Sequence, residues 1–107
     1  MVRENDIRSV SRIAARVSLV VSGLTWYGFG SCFLGTSDYQ DIDVLVVCRS
    51  IADALLVRYL VQKISDLNGL HLLIMTYEEE QETEFIVRQC CLAIDLTPHT
   101  SKNDHIS

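Results

Sequence analysis

Two carboxylates, Asp41 and Asp43, stand one residue apart at the start of an apolar run, Val44 to Val47. A Gly30-Ser31 pair closes the preceding apolar run, Trp26 to Phe29. Acids separated by one residue on a strand point to the same face, which makes them candidate ligands for one hard cation such as Mg²⁺ or Mn²⁺. Small residues such as Gly30 and Ser31 let a phosphate approach the backbone closely. Together these types suit a nucleoside triphosphate held through a divalent metal, because phosphoryl and nucleotidyl transfer need charge neutralisation and alignment more than covalent help. A simpler reading has Asp41 capping a loop and Asp43 making a local hydrogen bond. Against it, an acid that opens an otherwise apolar strand is costly to bury unless a cation or a donor satisfies it.

The elements that must position these residues follow from the pattern of the chain. Residues 4–22 read as an amphipathic helix, with Ile7, Val10, Ala14, Val17 and Val21 on one stripe, Arg8 and Arg12 opposite, and Gly23 as its stop. Residues 24–29 read as a strand rich in aromatics and Thr, 32–35 as one tight helical turn, and 36–40 as a returning loop. Residues 41–48 begin polar and become a continuous aliphatic run, the pattern of a strand buried on both faces. The acids therefore sit at the entrance of a central strand.

A second helix spans 51–67, where Asp53, Arg58, Gln62 and Asp66 leave only a narrow polar stripe. Such a helix is largely buried or contacts another chain. Asn68-Gly69 is a turn signal, and residues 70–76 form a third apolar strand interrupted only by His71. Thr76 with Glu79 three positions on is a capping box, and the acids at 78, 79, 80, 82 and 84 favour the first half of a third helix, with Phe85, Ile86 and Cys90 facing inward. Pro98 closes the region. The order predicts one α/β (α+β) domain over 1–98, a small mixed sheet of three or more strands with helices packed on it, and a polar tail over 99–107.

Composition sets limits on partners. At 107 residues the chain has room for one core, and 49% hydrophobic residues with mean hydropathy +0.21 are rich for a domain of this size. Some apolar surface is expected to be left over for a homo-oligomer or a protein partner to cover. A net charge of −5 argues against a protein that holds nucleic acid by a broad basic surface, while one charged metabolite bound through a metal is compatible with it. Cysteines at 32, 48, 90 and 91 form no C-x-x-C pair, so reduced, mostly buried thiols in a cytoplasmic protein are expected. The first residues carry acids where an export signal places a basic segment. Residues 17–37 are uncharged and about one bilayer long, but four glycines and several Ser and Thr residues dilute the pattern, and no membrane span is expected.

The order of the motif disfavours two other phosphate chemistries. Phosphatases of the haloacid dehalogenase-like group carry Asp-x-Asp after the apolar strand, whereas Asp41 and Asp43 precede theirs, and no Gly-Lys-Ser/Thr follows a glycine loop. Phe29-Gly30-Ser31 with Gly35 four residues on, followed by Asp41-Ile42-Asp43, resembles the signature of the DNA polymerase β-like nucleotidyltransferase superfamily, in particular its small stand-alone members, the minimal nucleotidyltransferases. The resemblance implies that Gly30 and Ser31 hold the triphosphate and that Asp41 and Asp43 bind the divalent metals. It also implies a third carboxylate on the following core strand, where this chain has His71, a poorer Mg²⁺ ligand. Gln40 stands where the family commonly has a small hydroxyl residue. Small members of the family are often the antitoxin half of a pair with a helical RNase, so the resemblance also accommodates a fold that binds a nucleotide or a partner without turnover.

Overall fold

The computed structural model describes residues 2–33, 41–65, 67 and 69–96, with the backbone alone for 2–5, 31 and 32. Helix α1 (Val2–Val20) is followed by β1 (Thr25–Phe29), the short α2 (Gly30–Phe33) and β2 (Ile42–Cys48). Then come α3 (Ile51–Ile64), β3 (Leu70–Thr76), α4 (Tyr77–Thr83), α5 (Phe85–Arg88) and β4 (Leu92–Ala93). The strands form one mixed sheet in the order β3-β2-β1-β4. β2 pairs in parallel with β3 through the α3 crossover, and β1 pairs antiparallel with both β2 and β4. This is the α+β architecture with helices on a mixed sheet that the pattern predicts.

Alternation along β2 divides the packing into two layers. Ile42, Val44 and Val46 join Trp26 of β1 under Val10, Ile13, Ala14, Val17 and Val21 of α1 and Val57 and Val61 of α3. Leu45 and Val47 point to the opposite face, and both are buried. There α4 packs on β2 and β3, and the ring of Phe85 in α5 meets that of Phe29 edge to face at 5.0 Å. The Trp26 indole N–H, buried with its ring, donates to the Ser18 hydroxyl at 2.9 Å.

Several boundaries differ from the sequence expectation for local reasons. α3 stops at Ile64 rather than 67 because Ser65 turns to an extended backbone and its hydroxyl accepts the Leu67 N–H at 3.3 Å. The small helix after β1 begins at Gly30, two residues before the expected start. The third helix is broken at Glu84, which adopts left-handed dihedrals (φ 53°, ψ 39°), and Glu80 bridges the break by accepting the Ile86 N–H at 3.0 Å. Phe85 and Ile86 are half-buried as expected, whereas Cys90 is exposed. Of the thiols described, Cys48 alone is fully buried, and burial pushes its thiol above the usual range. β4 has two residues, too few to show a period.

The uncharged stretch predicted not to span a membrane is divided, over its described part, among the end of α1, β1 and α2. No described helix is long and apolar enough to cross a membrane. The expected loop 36–40, the Asn68 half of the turn, Pro98 and the tail 99–107 lie outside the described residues.

The capping box at α4 forms in full. Thr76 Oγ1 accepts the Glu79 N–H at 3.2 Å, and Glu79 Oε1 accepts the Thr76 N–H at 2.9 Å. Thr76→Ala is expected to lower stability by about 1 kcal/mol. Because each side chain satisfies a donor at the other's position, Thr76→Ala and Glu79→Ala should be less than additive in urea titrations. Strict additivity would show that the two bonds act separately.

Candidate functional site

The strand registers bring three of the sequence candidates to one end of the sheet. Phe29, the last residue of β1, lies opposite Asp43 in β2, and Asp43 lies beside His71 in β3. Neighbours across a sheet share a face, so Asp43 and His71 emerge side by side, with Gly30 one residue beyond the end of β1. His71 Nδ1 is 3.0 Å from Asp43 Oδ1. A carboxylate only accepts, so Nδ1 carries the proton of this bond and donates it to Asp43, with Nε2 outside the bond.

Gly30 completes the arrangement from the other side. Its φ of +81° belongs to the left-handed region, and a Cβ built on it would lie 2.2 Å from Asp43 Oδ2. One carboxylate oxygen is thus held by His71 and the other rests against a Cα that has room because it carries no side chain. The Asp43 side chain keeps 21% of its exposure and His71 74%, so the pair is open to a solute. Gly28, two residues earlier, faces the other layer, where a Cβ would meet the ring of Phe33 at 2.3 Å. The glycines of β1 and α2 therefore serve different contacts, one packing α2 and the other admitting Asp43.

Asp41 is the residue just before β2, exposed, and makes no hydrogen bond or ion pair with a described residue. The Ser31 side chain, Gly35 and Gln40 lie outside what the structure describes. Among the described residues no three His, Cys, Asp or Glu side chains converge on a point fit for a metal ion. Oxygen donors remain the right chemistry for a hard cation, and Mg²⁺ characteristically takes only one or two carboxylates and fills its other positions with phosphate oxygens and water. Asp41 and Asp43 are carboxylates at this end of the sheet, and of the two only Asp43 is hydrogen-bonded to His71.

A cleft of about 370 Å³ with His71 at its edge opens between α3 and the edge strand β3. Val61, Leu70 and Leu72 give it apolar walls, while Arg58, Gln62, Ser65 and His71 supply polar groups. From sequence, Arg58 and Gln62 belong to the polar stripe of the second helix. Their spacing of four residues places them on one side of α3, but the direction of that side depends on how α3 lies on β3.

At the opposite end of the sheet, Arg49 Nη2 donates to the Ser22 hydroxyl at 3.1 Å. No family model, no curated protein and no solved structure matches the chain.

Proposed function

We propose that this domain binds a nucleoside triphosphate with Mg²⁺ through Asp41 and Asp43 and transfers a nucleotidyl group to an acceptor, as a minimal nucleotidyltransferase acting in the cytoplasm. The observation that carries the reading is the Asp43 carboxylate set between the bare Cα of Gly30 and the imidazole of His71, at the adjoining ends of three strands. Bound Mg²⁺, or Mn²⁺ in its place, would neutralise phosphate charge and line up the attacking and leaving oxygens. Asp41 and Asp43 supply its carboxylate oxygens. Gly30 leaves space for phosphate close to the backbone, with Ser31 beside it. His71 fixes the orientation of Asp43 through Nδ1 and offers Nε2 to a proton on the incoming acceptor.

A second reading rests on the same histidine. His71 occupies the strand position where a third carboxylate would add negative charge, and its bond to Asp43 reduces the charge density of the pair instead. On that reading the fold holds a nucleotide or a protein partner without turnover, as an antitoxin-like module.

Calorimetry of ATP with Mg²⁺ tests the metal-bound nucleotide. Asp43→Asn keeps the shape of the side chain and removes its charge, so affinity is expected to fall ten-fold or more, at least about 1.4 kcal/mol. Equal binding by the two proteins would sink the proposal. Labelled nucleoside triphosphate and a cell lysate separate the two readings: transfer that vanishes in Asp41→Ala supports the enzyme, and binding without transfer supports the module.

A further inference from the structure

The helical layer carries a second feature that the candidate site does not use. α1 and α3 lie side by side on the sheet, and between them runs a groove lined by Arg16, Val17 and Val20 from α1 and Leu60 and Ile64 from α3. Helical spacing places Arg12 and Leu19 outboard of Arg16 and Val20, and Leu56, Tyr59 and Lys63 outboard of Leu60. Leu19 is 87% exposed, Val20 63% and Tyr59 56%. The groove thus has an apolar floor and lips that are part apolar and part basic.

Charge is segregated to match. α1 and α3 together hold six basic residues against three acidic, a net of +3, which leaves −8 on the rest of a chain whose total is −5. Arg8, Arg12 and Arg16 follow one another at one-turn spacing along α1, all exposed, and none pairs with an acid among the described residues. On the other lip Lys63 Nζ sits 5.5 Å from the centre of the Tyr59 ring. Among the described residues no acidic side chain lines the groove.

We propose that this groove receives an acidic amphipathic helix of a partner protein, its apolar stripe on Val20, Leu56, Leu60 and Ile64 and its carboxylates against Arg12, Arg16 and Lys63. A helix laid between two neighbouring helices reaches a recessed floor that a flat bilayer does not. The acidic remainder of the molecule also repels an anionic membrane. A second copy joined through the same face would set Arg12, Arg16 and Lys63 against the same cations of its twin, and α4, the acidic helix of this chain, contains only Tyr77 as an apolar residue. The proposal stands apart from the nucleotide site, which lies at one end of the sheet and uses none of these residues.

The test uses the full chain and a labelled synthetic helix of about five turns with a leucine stripe flanked by glutamates, beside a twin in which lysine replaces glutamate. The glutamate peptide is expected to bind saturably and more weakly as salt rises, with the lysine twin, Arg16→Glu and Leu56→Glu each weaker on the order of ten-fold. Both substituted residues are exposed, and unchanged melting curves would confirm that the variants fold. Equal binding of the two peptides, no saturable binding, or indifference to both substitutions overturns the proposal. So would binding to phosphatidylserine vesicles in place of the peptide, which assigns the face to a membrane. A concentration-dependent dimer that is lost in Leu56→Glu and excludes the peptide assigns the face to a second copy and overturns it as well.

Discussion

Leu45→Ala is expected to lower the unfolding free energy by about 3 kcal/mol, inside the ~2–5 kcal/mol span for truncating a buried leucine. Leu45 is 0% exposed, in the middle of β2, with Tyr27 beside it on β1 and Leu73 on β3. Its side chain points away from α1 and α3 into the layer covered by α4, so the cavity would open under a helix of seven residues. A short cover can settle into a void more readily than the long α1, which keeps the cost below the top of the range. The loss would still be a large part of the ~5–15 kcal/mol that holds a domain of this size. Urea midpoints, with Leu55→Ala as the exposed control, check the value. A loss under about 1 kcal/mol would mean that α4 does not seal this face.

β2 was legible in the sequence for the same reason that Leu45 matters. Val44, Leu45, Val46 and Val47 are aliphatic without alternation, and only a strand covered on both faces can bury such a run. The three-and-four spacing of α1 and the Thr76-Glu79 box were equally direct, because each is a local pattern with a local cause. What escaped was decided by neighbours or by backbone conformation. Glu84 takes a left-handed conformation that its residue type does not announce, and without it α4 and α5 read as one helix. β4 exists because two residues reach the free edge of β1 beside Tyr27 and Gly28, a pairing with no periodic signal.

The candidate site divides in the same way. Gly30, Asp43 and His71 were each visible as the unexpected residue in its run: a glycine after aromatics, an acid and a histidine among aliphatics. Their meeting depends on two registers, Phe29 with Asp43 and Asp43 with His71, which follow once the strand order is known. Arg58 and Gln62 were legible only as polar positions, since nothing local tells which edge of the sheet a helix overhangs. The apolar surplus in the composition is likewise visible on the molecule as Leu19, Val20, Ile51, Leu55 and Tyr59, all more than half exposed.

Gly30→Ala is expected to disturb the site more than any other single-methyl change in it. An alanine at φ +81° costs about 1–2 kcal/mol in backbone energy alone, and its Cβ would fall 2.2 Å from Asp43 Oδ2. A carboxylate is the end of a short side chain, so Asp43 rather than the backbone would yield, and its hydrogen bond to His71 would break first. The two costs can be separated. In an Asp43→Ala background the oxygen is gone and only the backbone cost remains, so the double variant should be more stable than the sum of the singles by about 1 kcal/mol or more. The imidazole resonances of His71 should move in Gly30→Ala towards their positions in Asp43→Ala, because both release Nδ1. That result would not depend on any nucleotide, whereas loss of ATP binding in the same variant would. Strict additivity with an unmoved His71 would mean that Asp43 is not pressed between the glycine and the histidine, and the Asp43 site proposed for metal and phosphate would lose its geometric support.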